Sequence, residues 1–432
     1  MEKQQDFYGR RLPKERVPET FWDQADLIPA FRQLGHCDVC IRCGQAVPRE
    51  NLLPTGNYYC RFCLVFGRLT SESQLCSFPQ KLFPATKCLR WSGQLTPFQK
   101  EVSDALVNGL IKKENLLVHA VTGAGKTEMI YQVMARVIDK GGAVCVASPR
   151  VDVCIELDKR FRRDFSCSIS LLHGESENYR RSPLVVATTH QLMTFYRAFD
   201  LLIIDEVDAF PFVDNACLYH AVEQATKSDG INIYLTATST DALEKLVKKG
   251  KLKKHHLARR FHANPLVVPK TIWQENSWKS LAKQQLPRPL YHYLKRQRKT
   301  EYPLLIFYPN IKEGKQFAEC LQGYFPEEKV GFVSSKTVNR LELVDAFRTQ
   351  EITILVSTTI LERGVTFPCV DVFVIEAHHR IYTRSALVQI AGRVGRSKER
   401  PTGELLFFHT GLTTAIKQSI AEIKEMNHKG GF

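Results

Sequence analysis

A chain of 432 residues is too long for one ordinary hydrophobic core and suits two or three domains. Its 44% hydrophobic and 24% charged residues exclude wholesale disorder, and 60 Lys and Arg against 45 Asp and Glu leave a formal charge of +15. That excess favours an anionic partner, either nucleic acid or an acidic membrane surface. No apolar run reaches the roughly 18 residues of a membrane span, and the opening MEKQQDFYGRRLPKERVPE lacks a signal-peptide core, so a cytoplasmic protein is expected.

The first predicted unit, after an arm over residues 1–33, is a small cysteine-rich module over 34–75. Two CxxC pairs, Cys40 with Cys43 and Cys60 with Cys63, are separated by 16 residues, a spacing suited to one four-thiolate structural zinc site. Gly44 after the first pair would let the backbone bend its amides toward the sulfurs. Cys37 also forms a CxxC with Cys40 and is a competing ligand. A redox CxxC is the weaker alternative, because such a motif would be single and would sit at a strand-to-helix turn. With four protein ligands the ion would have no open position, so its role would be to hold a segment too small to own a core. Arg42, Arg49, Arg61 and Arg68 are candidate contacts to DNA, and a solvated basic face explains them equally well. The remaining cysteines are scattered and read as reduced, small buried residues.

From residue 94 onward, short apolar runs alternate with helical patterns, which predicts α/β lobes with mostly parallel sheets. Strands are expected at 116–120, 143–148, 184–188, 201–205 and 231–238 in a first lobe spanning 76–255. A second lobe over 301–432 has strands expected at 304–309, 330–335, 352–358, 370–377 and 403–409. Residues 256–300, dense in positive charge, are read as a basic linker and entry to the second lobe.

Within the first lobe, the apolar run NLLVH leads into AVTGAGKTE and then into apolar residues at helical spacing, the strand, loop and helix order of a P-loop. Thr122, Gly123, Ala124 and Gly125 would wrap amides around phosphate oxygens, Lys126 would reach the β and γ phosphates, and Thr127 would ligate magnesium. Farther on, LLIIDEVDAF ends an apolar strand at Asp205 and Glu206. One carboxylate can hold magnesium and the next can orient the attacking water, which makes ATP hydrolysis the leading chemistry. In LVQIAGRVGRSKE, Arg393 and Arg396 lie three apart, a spacing expected to put both on one helical face aimed at developing phosphate charge.

At this point the chain resembles the superfamily 2 helicases, over roughly residues 90–410. The ordered series is LTPFQ, AVTGAGKTE, ASPR, TTHQL, DEVD, TAT, IFYPN, STTILERGVTFP and QIAGRVGR. The DEVD box, ERGVTFP and the N-terminal four-cysteine module are similar to the ComFA family of competence ATPases. PriA-type helicases resemble it in the lobes only. The resemblance implies an α/β fold class of two tandem RecA-like, doubly wound parallel-sheet domains with a small N-terminal zinc-binding module. It implies ATP, Mg2+ and Zn2+ as cofactors, with Gln99 as adenine reader and Gly364, beside Glu362 and Arg363, in a nucleotide-sensing segment. It also implies strand contacts by Pro149, Arg150, Thr189, Gln191, Asn310, Thr358 and Thr359, and coupling of hydrolysis to movement by Thr236, Ala237 and Thr238.

The function so implied is ATP-driven translocation of single-stranded DNA during natural transformation. The implied partners are ComFC, DprA-like proteins and the membrane channel ComEC at the cytoplasmic face. Monomer and homo-oligomer both stay open. The rival readings are a PriA-like duplex helicase, an RNA-remodelling ATPase, and a non-enzymatic zinc and nucleic-acid adaptor.

Overall fold

The computed structural model describes residues 3–275 and 278–432. Its chain opens with β1 (Arg11–Pro13), β2 (Asp26–Pro29), β3 (Phe31–Leu34), β4 (Cys37–Cys40), β5 (Ala46–Val47) and β6 (Gln74–Ser77). These form two small antiparallel sheets, ordered β1-β6-β2 and β3-β4-β5. Phe7, Leu12, Val17, Cys76 and Phe78 make a core of their own beneath the first sheet. The expected boundary between residues 33 and 34 thus falls inside strand β3 of the β3–β4 hairpin, and the arm carries β1, β2 and most of β3.

Two parallel sheets follow, giving the tandem RecA-like arrangement. The first takes β7 (Leu116–Ala120), β8 (Val144–Ser148), β9 (Ile169–Leu172), β10 (Leu184–Thr188), β11 (Phe199–Ile204), β12 (Thr226–Thr236) and β13 (Lys253–Leu257) in the order β13-β7-β12-β11-β8-β10-β9. The second takes β14 (Lys270–Trp273), β15 (Leu304–Phe307), β16 (Val330–Val333), β17 (Ile354–Ser357), β18 (Asp371–Val374) and β19 (Leu405–His409) in the order β14-β19-β18-β15-β17-β16. Central strands such as β7, β8 and β10 are buried at every residue, because helices cover both faces of a parallel sheet.

The chain divides into two compact units, one comprising residues up to His119 with Lys126–His256, the other Ala120–Gly125 with Leu257–Phe432. Residues from Leu257 onward therefore belong to the second unit. The stretch read as a basic linker includes strand β14, paired with β19, and a helix, Arg288–Arg298, whose Leu290 and Leu294 are fully buried.

Strands β7, β8, β9, β10, β11 and β12 run parallel, so their carboxyl ends share one edge of the first sheet. That edge is where an open α/β sheet binds ligands, because loops and helix starts converge there with unpaired amides. The segments AVTGAGKTE, ASPR, TTHQL, DEVD and TAT follow β7, β8, β10, β11 and β12 in turn.

Candidate active site and zinc centre

The phosphate loop leaves β7 at Ala120 and enters helix Lys126–Met129, which continues past Ile130 as helix Tyr131–Ile138. Gly123 and Gly125 hold φ of 79° and 74°, a conformation that costs a residue with a Cβ about 1 kcal/mol or more. Lys126 Nζ lies 3.2 Å from Asp205 Oδ1, and the two side chains are 18% and 13% exposed. The ammonium suited to phosphate and the carboxylate suited to magnesium thus occupy the same few ångströms. Asp205 Oδ1 also accepts from the Glu206 backbone N–H at 2.9 Å, and the Asp205 N–H bonds Ala147 O at 2.8 Å, fixing the turn to β8. Glu206 sits at φ 55°, an unusual place for a residue with a side chain and one typical of functional turns. This donor set fits a magnesium nucleotide.

Asp208, absent from the sequence-based candidates, links two of the motifs. Its carboxylate accepts from Thr236 Oγ1 at 2.9 Å and from Thr238 Oγ1 at 2.6 Å, all three groups being buried. Two buried side-chain hydrogen bonds therefore tie the DEVD turn to the TAT segment. His119 at the end of β7 reaches the same segment, its Nε2 lying 3.0 Å from Ala237 O. Burial, with the Lys254 charge next, depresses its pKa to about 4, so at neutral pH it is an uncharged donor to that carbonyl. Gln99 caps helix Pro97–Lys112, its side chain accepting from the Thr96 N–H at 2.9 Å while Thr96 Oγ1 accepts from the Gln99 N–H. Its reading of adenine stays a proposal.

Arg393 and Arg396 do not share a helical face. Helix Arg384–Ala391 ends at Gly392, and the arginines lie on the turn beyond it, where Gly395 takes φ 66°. Arg393 is 3% exposed, and Arg396 Nη1 donates to Thr366 Oγ1 at 2.9 Å. This turn is held by a residue hidden in the basic stretch. Arg260, 2% exposed, donates to Val394 O at 2.8 Å, to Gly392 O at 3.3 Å and to Gly395 O, and His262 Nε2 adds a contact to Gly395 O at 3.0 Å. Burial and then the Arg396 charge lower the Arg260 pKa to about 9, which leaves the guanidinium charged at neutral pH. Truncation to Arg260→Ala strands these carbonyls at about 1–3 kcal/mol each and is expected to lower ATP turnover at least tenfold, with Arg260→Lys recovering part of it, as steady-state kinetics would show.

The other candidates divide between exposed and buried positions. Pro149, Arg150 and Gln191 are half-buried after β8 and β10, whereas Thr189 is fully buried, so His190 and Gln191 present that segment. Asn310 is exposed, and its Oδ1 caps helix Ile311–Tyr324 by accepting from Lys312 N at 2.9 Å and Glu313 N at 3.3 Å. Thr358 is 7% exposed and Thr359 half-buried after β17. Arg363, 3% exposed, donates to Ser385 Oγ at 2.7 Å, and Gly364 takes φ 81°. Thr127 is half-buried in the first turn of its helix.

The four sulfurs of Cys40, Cys43, Cys60 and Cys63 all lie within 4.8 Å of one another, and all four residues are buried. The Cys40–Cys63 and Cys43–Cys60 separations are 3.7 and 3.5 Å. Tetrahedral zinc with Zn–S bonds of about 2.3 Å places its sulfurs about 3.8 Å apart, so the residues fit that ion. Cys37 is exposed and outside the cluster. Gly44 takes φ 72°, and a Cβ there would meet the His220 ring at 2.6 Å. His220 Nε2 also lies 3.2 Å from Ile41 O, so the module is seated on helix Ala216–Ala225.

Arg42 cannot serve as a DNA contact. It is 4% exposed, and its guanidinium donates to Cys63 Sγ at 3.3 Å, Cys63 O at 3.0 Å, Phe66 O at 3.2 Å and Gly67 O at 2.7 Å. Hydrogen bonds from Cys40, Cys43 and Cys60 pull the Cys63 thiol far below its usual range, and the Arg42 charge adds to this. Arg49, Arg61 and Arg68 are exposed.

Comparison with known proteins agrees with this geometry. Residues 96–246 match the DEAD/DEAH box helicase family, and residues 285–398 match the helicase conserved C-terminal domain. The chain is 58% identical to the competence protein ComFA of Streptococcus pneumoniae, over 99% of each chain. It is 37% identical to ComFA of Bacillus subtilis, over 90% of this chain and 85% of that one. Among solved structures, Mycobacterium smegmatis helicase Lhr bound to ssDNA and AMP-PNP superposes with a TM-score of 0.57 at 14% identity, covering 78% of this chain and 50% of that one. Saccharomyces cerevisiae Dbp5 bound to RNA and ADP BeF3 gives 0.53 at 16% identity, covering 77% and 91%. These two likenesses establish the fold alone.

Proposed function

The chain belongs to the ComFA family of competence proteins and is a helicase-like ATPase, and from that premise we propose that it is an ATP-driven translocase drawing single-stranded DNA into the cytoplasm during natural transformation. The observation that carries the reading is the placement of Lys126 Nζ 3.2 Å from Asp205 Oδ1, on the edge that also presents ASPR, TTHQL and TAT. Bound magnesium nucleotide supplies the phosphoanhydride whose cleavage drives the cycle.

With a magnesium nucleotide bound, Lys126 would neutralise the phosphates, Thr127 and Asp205 would hold the metal, and Glu206 would orient the attacking water. Arg393 and Arg396 stabilise charge on the transferring group, as positively charged clamps do in other phosphoryl-transfer sites. The Asp208 bonds to Thr236 and Thr238 carry the resulting shift toward the loops that follow β8 and β10, where Pro149, Arg150 and Gln191 hold the strand backbone. Asn310, Thr358 and Thr359 provide the corresponding grip in the second unit. Small hydroxyl and amide groups suit this task because they bind phosphates without reading bases.

Among the described residues no helix is long and apolar enough to cross a membrane, and action at a membrane channel such as ComEC would be peripheral. ComFC and DprA-like proteins enter as proposed partners on the same footing. ATP turnover measured without nucleic acid, and with single-stranded DNA, duplex DNA and RNA of equal length, tests the reading. Stimulation by single-stranded DNA above the others supports it. Equal or greater stimulation by RNA or duplex moves the chain to a remodeller or a duplex helicase.

A further inference from the structure

The phosphate loop uses only one part of the carboxyl edge of the first sheet. Beyond β8, β10 and β9, farther along that edge, a cavity of ≈ 950 Å³ opens, and its opposite wall is supplied by the arm and the cysteine module. Arg10 and Arg16 come from the arm, Val65 and Phe66 from the module, and Pro149 and Gln191 from the motif loops of the sheet.

The arm is bound firmly in this position. Arg10 pairs with Phe195 in an antiparallel bridge, and its guanidinium lies 4.9 Å and 5.2 Å from the Tyr179 and Phe195 ring centres. Tyr196 N–H bonds Gly9 O at 2.9 Å, and the Arg11 guanidinium lies 3.3 Å from the Tyr196 ring centre. Arg16 remains exposed where arm and module meet, with its guanidinium beside Gly67. The module presents an apolar face there that a self-contained zinc knuckle would not need. On the 3-10 segment Arg61–Phe66, Phe62 is 57% exposed, Leu64 47% and Val65 84%, with Arg61 and Arg68 exposed alongside.

We propose that this cavity is a strand-binding channel in which the arm and zinc module form the second wall, Arg16 contacting a phosphate and Val65 packing against unpaired bases, with Phe62 and Leu64 exposed next to it outside the lining. The inference rests on the reading of the chain as a single-stranded DNA translocase. Alternation of arginines with exposed apolar and aromatic residues suits single-stranded nucleic acid, whose bases offer faces for stacking while its phosphates need cations. Asp6 faces the cavity too, but its carboxylate accepts from the Arg181 N–H at 2.9 Å and the Lys3 N–H at 3.1 Å. Glu177 is the other acidic group of the lining, to which Arg10 and Arg16 contribute two guanidinium groups. The channel also assigns the metal a task, since zinc sets the position of the wall.

Two measurements on the full-length protein test this. A photo-crosslinking amino acid at Val65 is expected to capture labelled oligo-dT on irradiation, while the same group at Ile111, exposed at the end of helix Pro97–Lys112 next to the amino end of β7, captures none. Arg16→Glu is expected to weaken oligo-dT binding about tenfold by fluorescence anisotropy and to flatten the dependence of log K on log salt by about 0.7, the value of one lost phosphate on a single strand. Its zinc content reports that the module is folded. Wild-type protein that binds oligo-dT, with no capture at Val65 and unchanged affinity in zinc-loaded Arg16→Glu, overturns this inference and leaves the translocase reading standing. Wild-type protein that binds no single-stranded DNA overturns both. Capture at Val65 of a protein from a cell extract in preference to oligo-dT overturns the channel in favour of a protein-docking face.

Discussion

Lys126→Ala is expected to lower the rate of ATP hydrolysis by about a thousandfold or more, the scale of losing a principal electrostatic contact in phosphoryl transfer. The ammonium is 3.2 Å from Asp205 Oδ1, and no other Lys or Arg is paired with Asp205 among the described ion pairs. A truncated side chain therefore cannot be replaced by a neighbour, and the Asp205 carboxylate loses its counter-charge at the same time. Because the pair is part-buried, some loss of stability accompanies the change, so a thermal melt must accompany the kinetics. Asp205→Asn serves as the companion variant, keeping the shape while removing the charge that would hold magnesium. If folded Lys126→Ala hydrolyses ATP at the wild-type rate, the loop has been misassigned. A rise in KM alone, with kcat preserved, would mean that Lys126 contributes binding to ground state and transition state equally.

The second large effect concerns the metal. Cys43→Ser, or exhaustive chelation, is expected to abolish zinc binding and to unfold the module, because apparent zinc binding energies of about 10–16 kcal/mol are folding energy in such sites. The damage should spread beyond the module. Cys40, Cys43, Cys60 and Cys63 pack in one continuous core with Leu202, Ile204 and Val207 of the first unit, and His220 closes over Gly44. A lowered thermal transition of the whole first unit is therefore expected, measured together with zinc content by atomic absorption. Cys37→Ser, an exposed position outside the cluster, should retain one zinc per chain. Loss of zinc from that variant would contradict the ligand assignment. Acid should release the ion, since the ligands are thiolates and protons compete for them.

Much of this is legible in the amino-acid sequence. Ten of the thirteen strands of the two parallel sheets appear as apolar runs because helices cover both faces, and the motif loops follow them in order, whereas β9 and β14, both edge strands, were not among the expected ones. The clustering of Cys40, Cys43, Cys60 and Cys63 was legible because each CxxC turn points two sulfurs at one place. Strand β13, KKHHL, was not, since an edge strand carries charge that reads as a solvated run. Arg260 was masked by the same basic stretch, and nothing in its neighbours signals that its guanidinium turns inward to three carbonyls. Arg42 misled for a related reason. Between two cysteines it looks like a surface arginine, yet it is spent on Cys63 and the carbonyls of Phe66 and Gly67. The helical placement of Arg393 and Arg396 failed because Gly392 ends the helix and Gly395 takes a left-handed turn, both of which stand in the sequence. A glycine just past the last apolar position is a helix stop signal, and Gly392 and Gly395 mark the turn.

The most direct test of the account is displacement of streptavidin from single-stranded oligonucleotides biotinylated at one end or the other. The account predicts ATP-dependent displacement from one end, absent in Lys126→Ala. ATP turnover stimulated by the same oligonucleotides, without displacement from either end, would contradict it.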